Sequence, residues 1–177
     1  MVRYVFLDFD GVVMTPASYQ QPSVDIGEPG MGNLAASRLD RGAVLRVNRL
    51  CLAAGAHVVL STAWRSRIGF GDSAPLVSAL RYSGLSVPVV GQTPHLEKPY
   101  RKMSDYSVVP RGEEIVRWLT DCTGVGGWSD TDVVILEDEQ DCAPLAHRQV
   151  KTAWYGPTPG FTEDHLSQAL RLFGVEP

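Results

Sequence analysis

Short apolar runs alternate along the chain with stretches of helical periodicity. Runs typical of buried strands lie at 2–7, 57–60, 87–90 and 131–136, and a weaker one lies at 149–153. Apolar residues recur at helical spacing over 41–54, 75–82, 112–122 and 162–173. This alternation predicts an α/β fold, a Rossmann-like three-layer sandwich whose mostly parallel sheet is covered by helices on both faces.

The segment from 14 to 40 departs from this pattern. It is rich in glycine, proline, serine and glutamine, and no regular apolar period runs through it. So long an irregular stretch in a compact domain is typical of a lid or a binding loop. We therefore predict a single domain over residues 1–177, with an irregular flap at about 14–40.

The composition narrows the range of functions. Hydrophobic residues make up 44% of the chain and charged residues 20%, as in soluble globular proteins. The net charge of −4 gives no overall basic field, which argues against sequence-independent nucleic-acid binding. Three cysteines without a C-x-x-C pair indicate neither a disulfide framework nor a zinc knuckle. No leader peptide or membrane-spanning run is evident, so a cytoplasmic location is the default expectation.

Polar side chains follow three of the predicted strands at the point where each strand ends. Asp8 and Asp10 follow the first strand, and Ser61 and Thr62 follow the second. An acidic run follows the fourth strand and consists of Glu137, Asp138 and Glu139, with Asp141 close behind. In parallel sheets the carboxyl ends of the strands form the ligand-binding edge. Carboxylates that gather there repel one another unless a cation lies between them, and an oxygen-only set favours Mg²⁺ over zinc.

The order of these motifs resembles that of the haloacid dehalogenase (HAD) superfamily, most members of which are magnesium-dependent phosphohydrolases. The run Asp-Phe-Asp-Gly-Val-Val at 8–13 resembles the first motif, Ser61 resembles the second, and Glu137 with Asp138 resembles the fourth. The stretches 60–65 and 111–115 are similar to a small-capped branch, some members of which are associated with RNA repair. The resemblance covers essentially the whole chain and implies a HAD-like fold with a minimal cap or none.

The resemblance implies a role for each motif. Asp8 would be the nucleophile that forms an aspartyl-phosphate, and Asp10 would be the general acid and base. Ser61 would hydrogen-bond a phosphate oxygen, with Thr62 as the alternative. The expected magnesium ligands are the carboxylates of Asp8, Asp10 and Asp138, with Glu137 or Asp141 in support.

The basic residue of the third motif is less sharply defined. The best-placed candidate is Arg111, which opens the helix over 112–122. Lys98 matches the usual Lys-Pro form better but lies further upstream, and Lys102 is a third candidate. Arg65, just beyond the second strand, is expected either to clamp the substrate or to form a surface salt bridge. Trp64 is expected to pack rather than to stack on a base.

These observations predict a magnesium-dependent phosphatase that acts on a phosphomonoester, either a small molecule such as a nucleotide or a nucleic-acid end. A receiver-like signalling module that binds phosphate and Mg²⁺ is one alternative. It needs a phosphoacceptor Asp after the third strand, where the chain has Gly91, Gln92 and Thr93 instead. A non-catalytic HAD-like binding domain is the other alternative, and the complete set of motif residues argues against it.

Overall fold

The computed structural model describes residues 2–28, 30–67, 72–96, 109–124, 126–139 and 142–176. Its centre is a parallel sheet of five strands in the order β3-β2-β1-β4-β5. The strands are β1 (Arg3–Leu7), β2 (Ala56–Leu60), β3 (Val89–Gln92), β4 (Val133–Glu137) and β5 (Gln149–Lys151). The predicted α/β fold is confirmed, and every strand pair in the sheet is parallel.

Within the described residues, five α-helices connect and flank these strands. They are α1 (Met31–Arg38), α2 (Arg41–Ala54), α3 (Ala74–Tyr82), α4 (Arg111–Thr123) and α5 (Glu163–Leu172). Residues at both ends of α2 explain where this helix begins and ends. The Asp40 side chain accepts a hydrogen bond from the Ala43 N–H, and Gly55 ends the helix at a φ of 63°. No helix in the described ranges is long and apolar enough to cross a membrane.

The two faces of the sheet carry separate apolar clusters, because successive side chains of a strand point to opposite faces. Val5 and Leu7 of β1 belong to the larger cluster, which includes side chains from α1, α2, α3 and α5. Phe6 faces the other way and belongs to the cluster with Ile115 and Leu119 of α4. These layers bury both faces of β1. Because β1 lies between β2 and β4 in the sheet, its carboxyl end has a neighbouring strand on each side.

The prediction of an irregular segment at 14–40 is wrong over α1. Ala35 and Ala36 of this helix are buried in the larger cluster, and α1 packs against α3. The chain just after α1 is tied to the turn after β1, since the Asp40 N–H donates to the Val13 carbonyl at 2.7 Å. Small residues form the buried face of α1. The sequence therefore lacks the large apolar side chains at helical spacing by which a helix is usually recognised.

The sheet register places three predicted site residues next to one another. Leu7 of β1 is paired with Leu60 of β2 on one side and with Leu136 of β4 on the other. The hydrogen bonds between neighbouring strands continue one residue beyond these pairs. The Ser61 N–H donates to the Leu7 carbonyl at 2.9 Å, and the Asp8 N–H donates to the Leu136 carbonyl at 3.1 Å. Asp8, Ser61 and Glu137 therefore leave three adjacent strands at the same edge.

Candidate active site

A cavity of about 550 Å³ opens at this edge of the sheet. Among the described residues, acidic groups dominate its lining, with six carboxylates against two guanidinium groups. The carboxylates belong to Asp8, Asp10, Glu114, Glu137, Asp138 and Glu139, and the guanidinium groups to Arg65 and Arg111. Such an excess of negative charge in a partly buried site favours the binding of a cation. Lys98, Lys102 and Asp141, which the sequence also suggested, lie outside the described residues.

The turn after β1 depends on Gly11. The N–H groups of Val12, Val13 and Met14 all point to the Phe9 carbonyl, at 3.2, 3.0 and 2.8 Å, and fold the chain back sharply. Gly11 has a φ of +70°, and a Cβ at this position would lie 2.6 Å from the Cβ of Asp138. The glycine therefore permits the turn and also leaves the space that the Asp138 side chain occupies.

Three carboxylates form the candidate metal centre. Asp8, Glu137 and Asp138 each offer an oxygen, and these oxygens all lie within 4.8 Å of one another. A compact set of carboxylate oxygens fits Mg²⁺, which prefers hard oxygen ligands. Burial raises the pKa of Asp138, and the nearby charges of Glu139 and Asp10 raise it further. A bound cation would relieve this repulsion between carboxylates. The charges and the oxygen donor atoms therefore both indicate a hard divalent cation.

Asp8 is a buried member of the centre. Burial raises its pKa to about 7, although Arg111, the Phe9 N–H and the Thr62 hydroxyl all act to lower it. Thr62 therefore contacts the predicted nucleophile itself. By contrast, the Oγ of Ser61 is buried and has no hydrogen-bond partner among the described residues. Of the two hydroxyls, Ser61 is thus the one whose hydrogen-bonding capacity is unused.

The Asp10 carboxylate is held on both of its oxygens and is not part of the three-carboxylate cluster. The Tyr19 hydroxyl donates to Oδ1 at 3.0 Å, and the Trp64 Nε1–H donates to Oδ2 at 2.8 Å. Trp64 is completely buried, which agrees with its predicted packing role. Burial raises the pKa of Tyr19, and the neighbouring Asp10 charge adds to this effect, so the hydroxyl remains a proton donor.

The two arginines are linked through a buried glutamate. Arg111 lies at the start of α4, with its Nε 3.3 Å from Oε2 of Glu137 and its Nη1 3.6 Å from Oε2 of Glu114. Arg65 is buried, forms an ion pair with Glu114 and donates from Nη1 to the Thr62 carbonyl at 2.6 Å. A surface salt bridge, one of the two expectations for Arg65, is therefore wrong. Both guanidinium groups line the cavity.

Sequence reasoning missed Glu114, Tyr19 and Trp154. Glu114 carried a readable signal, because this carboxylate lies beside Ile115 on the apolar face of α4 and must therefore have a partner in the interior. Tyr19 and Trp154 carried none, since they lie outside the regular helices and strands, and only the fold brings Tyr19 to Asp10 and Trp154 to the cavity. Their rings contact each other edge to face, with centroids 5.2 Å apart.

Comparison with known proteins agrees with this geometry. A family model described as the HAD domain in Swiss Army Knife RNA repair proteins matches residues 4–166. No curated protein and no solved structure matches the chain. The matched region extends from β1 into α5 and includes every residue that lines the cavity. The chain therefore belongs to the HAD superfamily, in the family of HAD domains found in Swiss Army Knife RNA repair proteins.

Proposed function

We propose that this protein is a magnesium-dependent phosphomonoesterase that forms an aspartyl-phosphate on Asp8. The observation that carries the proposal is the position of Asp8 at the end of the central strand. On one side it shares a cluster of carboxylate oxygens with Glu137 and Asp138. On the other it lies next to Ser61, whose hydroxyl has no hydrogen-bond partner within the described part of the chain. Membership of the HAD superfamily supports phosphohydrolase chemistry in general.

The proposed reaction has two steps. A carboxylate oxygen of Asp8 attacks phosphorus, the bond to the leaving oxygen breaks, and Asp10 gives that oxygen a proton. A water molecule then attacks the phosphorus and loses a proton to Asp10, which breaks the bond to Asp8 and releases phosphate. In this reaction Ser61 would donate a hydrogen bond to a non-bridging phosphate oxygen. A magnesium ion held by Asp8, Glu137 and Asp138 would neutralise phosphate charge.

Arg111 supplies a positive charge close to the proposed nucleophile. Its positive charge lowers the pKa of Asp8, which counters part of the effect of burial and favours the ionised nucleophile. Because Arg111 also lies close to Glu137, it is fixed at the side of the metal centre. A guanidinium in this position is suited to bind the oxygens of an incoming phosphate.

The substrate that we propose is a phosphorylated RNA end. The family description supports an RNA context. The cavity also offers an aromatic side chain, Trp154, whose ring contacts that of the neighbouring and largely exposed Tyr155 with centroids 6.3 Å apart. Aromatic rings are the usual contacts for unpaired bases. A net charge of −4 fits recognition of a chain end better than binding along a duplex.

The test is phosphate release from matched oligonucleotides with and without Mg²⁺. RNA and DNA oligomers that carry a 5′- or a 3′-phosphate are compared with p-nitrophenyl phosphate, using wild type and Asp8→Asn. We expect magnesium-dependent release that is fastest on one RNA end and absent in Asp8→Asn. Full activity in EDTA, or in the Asp8→Asn variant, would overturn the mechanism. Equal rates on all oligonucleotides and on the small substrate would overturn the RNA assignment alone.

A matched variant tests the base contact. Trp154→Ala should raise KM for the preferred oligonucleotide by about tenfold, since stacking on one base contributes roughly 1–3 kcal/mol. The kcat for the oligonucleotide and the kcat/KM for p-nitrophenyl phosphate should both remain within about twofold of wild type, because the loss of a base contact weakens binding alone. An equal loss on both substrates would show that Trp154 supports the structure of the cavity and does not bind a base.

A further inference from the structure

We propose that Tyr19 and Trp64 are positioning residues that hold the carboxyl group of Asp10 in the orientation needed to protonate the leaving oxygen. The inference rests on the proposed phosphatase reaction and adds two residues to it. It also gives the segment before α1 a role in the chemistry, where the sequence suggested only a flap.

The contacts at Asp10 fix its side chain in a specific way. Tyr19 donates to Oδ1 at 3.0 Å and Trp64 donates to Oδ2 at 2.8 Å, so each oxygen has its own donor. A rotation of the carboxyl group about its bond to Cβ would break both hydrogen bonds together. Asp10 needs such support, because it stands in a turn beside Gly11 and is only partly buried.

Both donors are held before any substrate arrives. Trp64 is completely buried, with its ring 6.4 Å from that of Phe9. Tyr19 lies in a short turn of 3-10 helix that Thr15 and Ser18 stabilise, since each side-chain oxygen of this pair accepts the backbone N–H of the other, at 3.2 and 2.9 Å. The positions of the two donors are thus set by packing and by local hydrogen bonds.

The Tyr19 ring is fixed on its sides as well. The guanidinium carbon of Arg38 lies 4.4 Å above the ring centroid, and Trp154 contacts the ring edge to face. Arg38 is the last residue of α1, so the helix that the sequence did not reveal helps to hold the hydroxyl that reaches Asp10. The arrangement connects the packed core of the domain with the proton-transfer group.

The two hydrogen bonds leave Asp10 free to carry a proton. A carboxyl oxygen has two lone pairs, and each donor uses one, so another remains for a proton on this residue, which lines the cavity. The indole N–H of Trp64 can only donate, and its bond to Oδ2 therefore persists whether Asp10 is ionised or protonated. Correct orientation matters most where the leaving oxygen is a strong base that must be protonated as its bond to phosphorus breaks.

The experiment measures kcat/KM with Mg²⁺ for phosphate esters whose leaving groups range from p-nitrophenol through phenol to a simple alcohol. This parameter reports the step in which the leaving group departs. We expect Tyr19→Phe and Trp64→Phe to lose about 10- to 100-fold on the alkyl ester, as when a hydrogen bond to a charged group is removed, and less than about threefold on p-nitrophenyl phosphate. Tyr82→Phe, an exposed tyrosine on α3, is the matched control and should behave as wild type.

The outcomes separate this inference from the function on which it rests. Wild-type turnover that requires Mg²⁺ and Asp8 supports the reaction, and its absence would overturn the proposed function and the inference with it. An active wild type with losses that are uniform across leaving groups would overturn the inference alone, because a merely structural role predicts that pattern. Tyr19→Phe removes a single oxygen, so it decides the question if Trp64→Phe does not fold.

Discussion

Replacing the buried nucleophile with its neutral isostere should stabilise the metal-free protein. Burial raises the pKa of Asp8 from an ordinary value of 3.8 to about 7. A pKa difference of about three corresponds to on the order of 4 kcal/mol between the protonated and ionised forms. Asp8→Asn removes this ionisation and fills nearly the same volume. At pH 8 in EDTA the variant should therefore be more stable than wild type by up to about 4 kcal/mol.

The pH dependence gives the direction of the effect. Because the pKa of Asp8 is raised in the folded state, the folded protein holds this proton between about pH 4 and pH 7 while the unfolded chain has released it. The free energy of unfolding of wild type should fall as pH rises through this range. Above about pH 7 the loss of stability should be complete. The gain from Asp8→Asn should accordingly be largest at pH 8 and should vanish near pH 4.

Urea denaturation at a series of pH values, in EDTA and in Mg²⁺, measures this difference. For a chain of 177 residues, 4 kcal/mol corresponds to a Tm increase of about 10 °C, which a thermal scan resolves. Glu176→Gln, a change at an exposed carboxylate beyond α5, is the control and should alter stability by less than about 0.5 kcal/mol. Magnesium should stabilise wild type and have little effect on Asp8→Asn. A gain that is independent of pH, or an Asn variant that is less stable at pH 8 in EDTA, would refute the reasoning.

Three further substitutions test other parts of the cavity. Gly11→Ala should abolish stabilisation by Mg²⁺ in a thermal scan, because its Cβ meets Asp138 and its φ is left-handed. Glu114→Gln should destabilise the protein by about 3 kcal/mol in urea, since it leaves Arg65 buried without its anion; an unchanged midpoint would contradict this. Ser61→Ala should lower kcat/KM by about 10- to 100-fold and leave stability equal or higher, because the lost hydroxyl has no partner among the described residues. A loss of stability with full activity would show the opposite role for Ser61.

The strand ends were predictable because the parallel register follows from the hydrophobic pattern. Once β1, β2 and β4 are recognised as buried neighbours, Asp8, Ser61 and Glu137 must come to the same edge. Helix α1 was not predictable in this way, since small residues form its buried face. Tyr19 was missed for a related reason. Its contact with Asp10 depends on how the segment after the turn packs, and no periodicity in the sequence reports that packing.

The two aspartates that begin the motif have opposite surroundings, and this difference fits the division of labour proposed for them. Asp8 is buried beside other carboxylates, so its ionised form depends on Arg111 and on a cation. Asp10 is partly exposed and receives one neutral donor on each oxygen, which fixes its direction without tying it to the metal cluster. A nucleophile must be ionised where phosphate binds, whereas a proton carrier must gain and lose a proton in a fixed position. If both aspartates simply held the cation, donors dedicated to Asp10 would have no purpose, and their removal would weaken magnesium binding instead of slowing protonation of the leaving group.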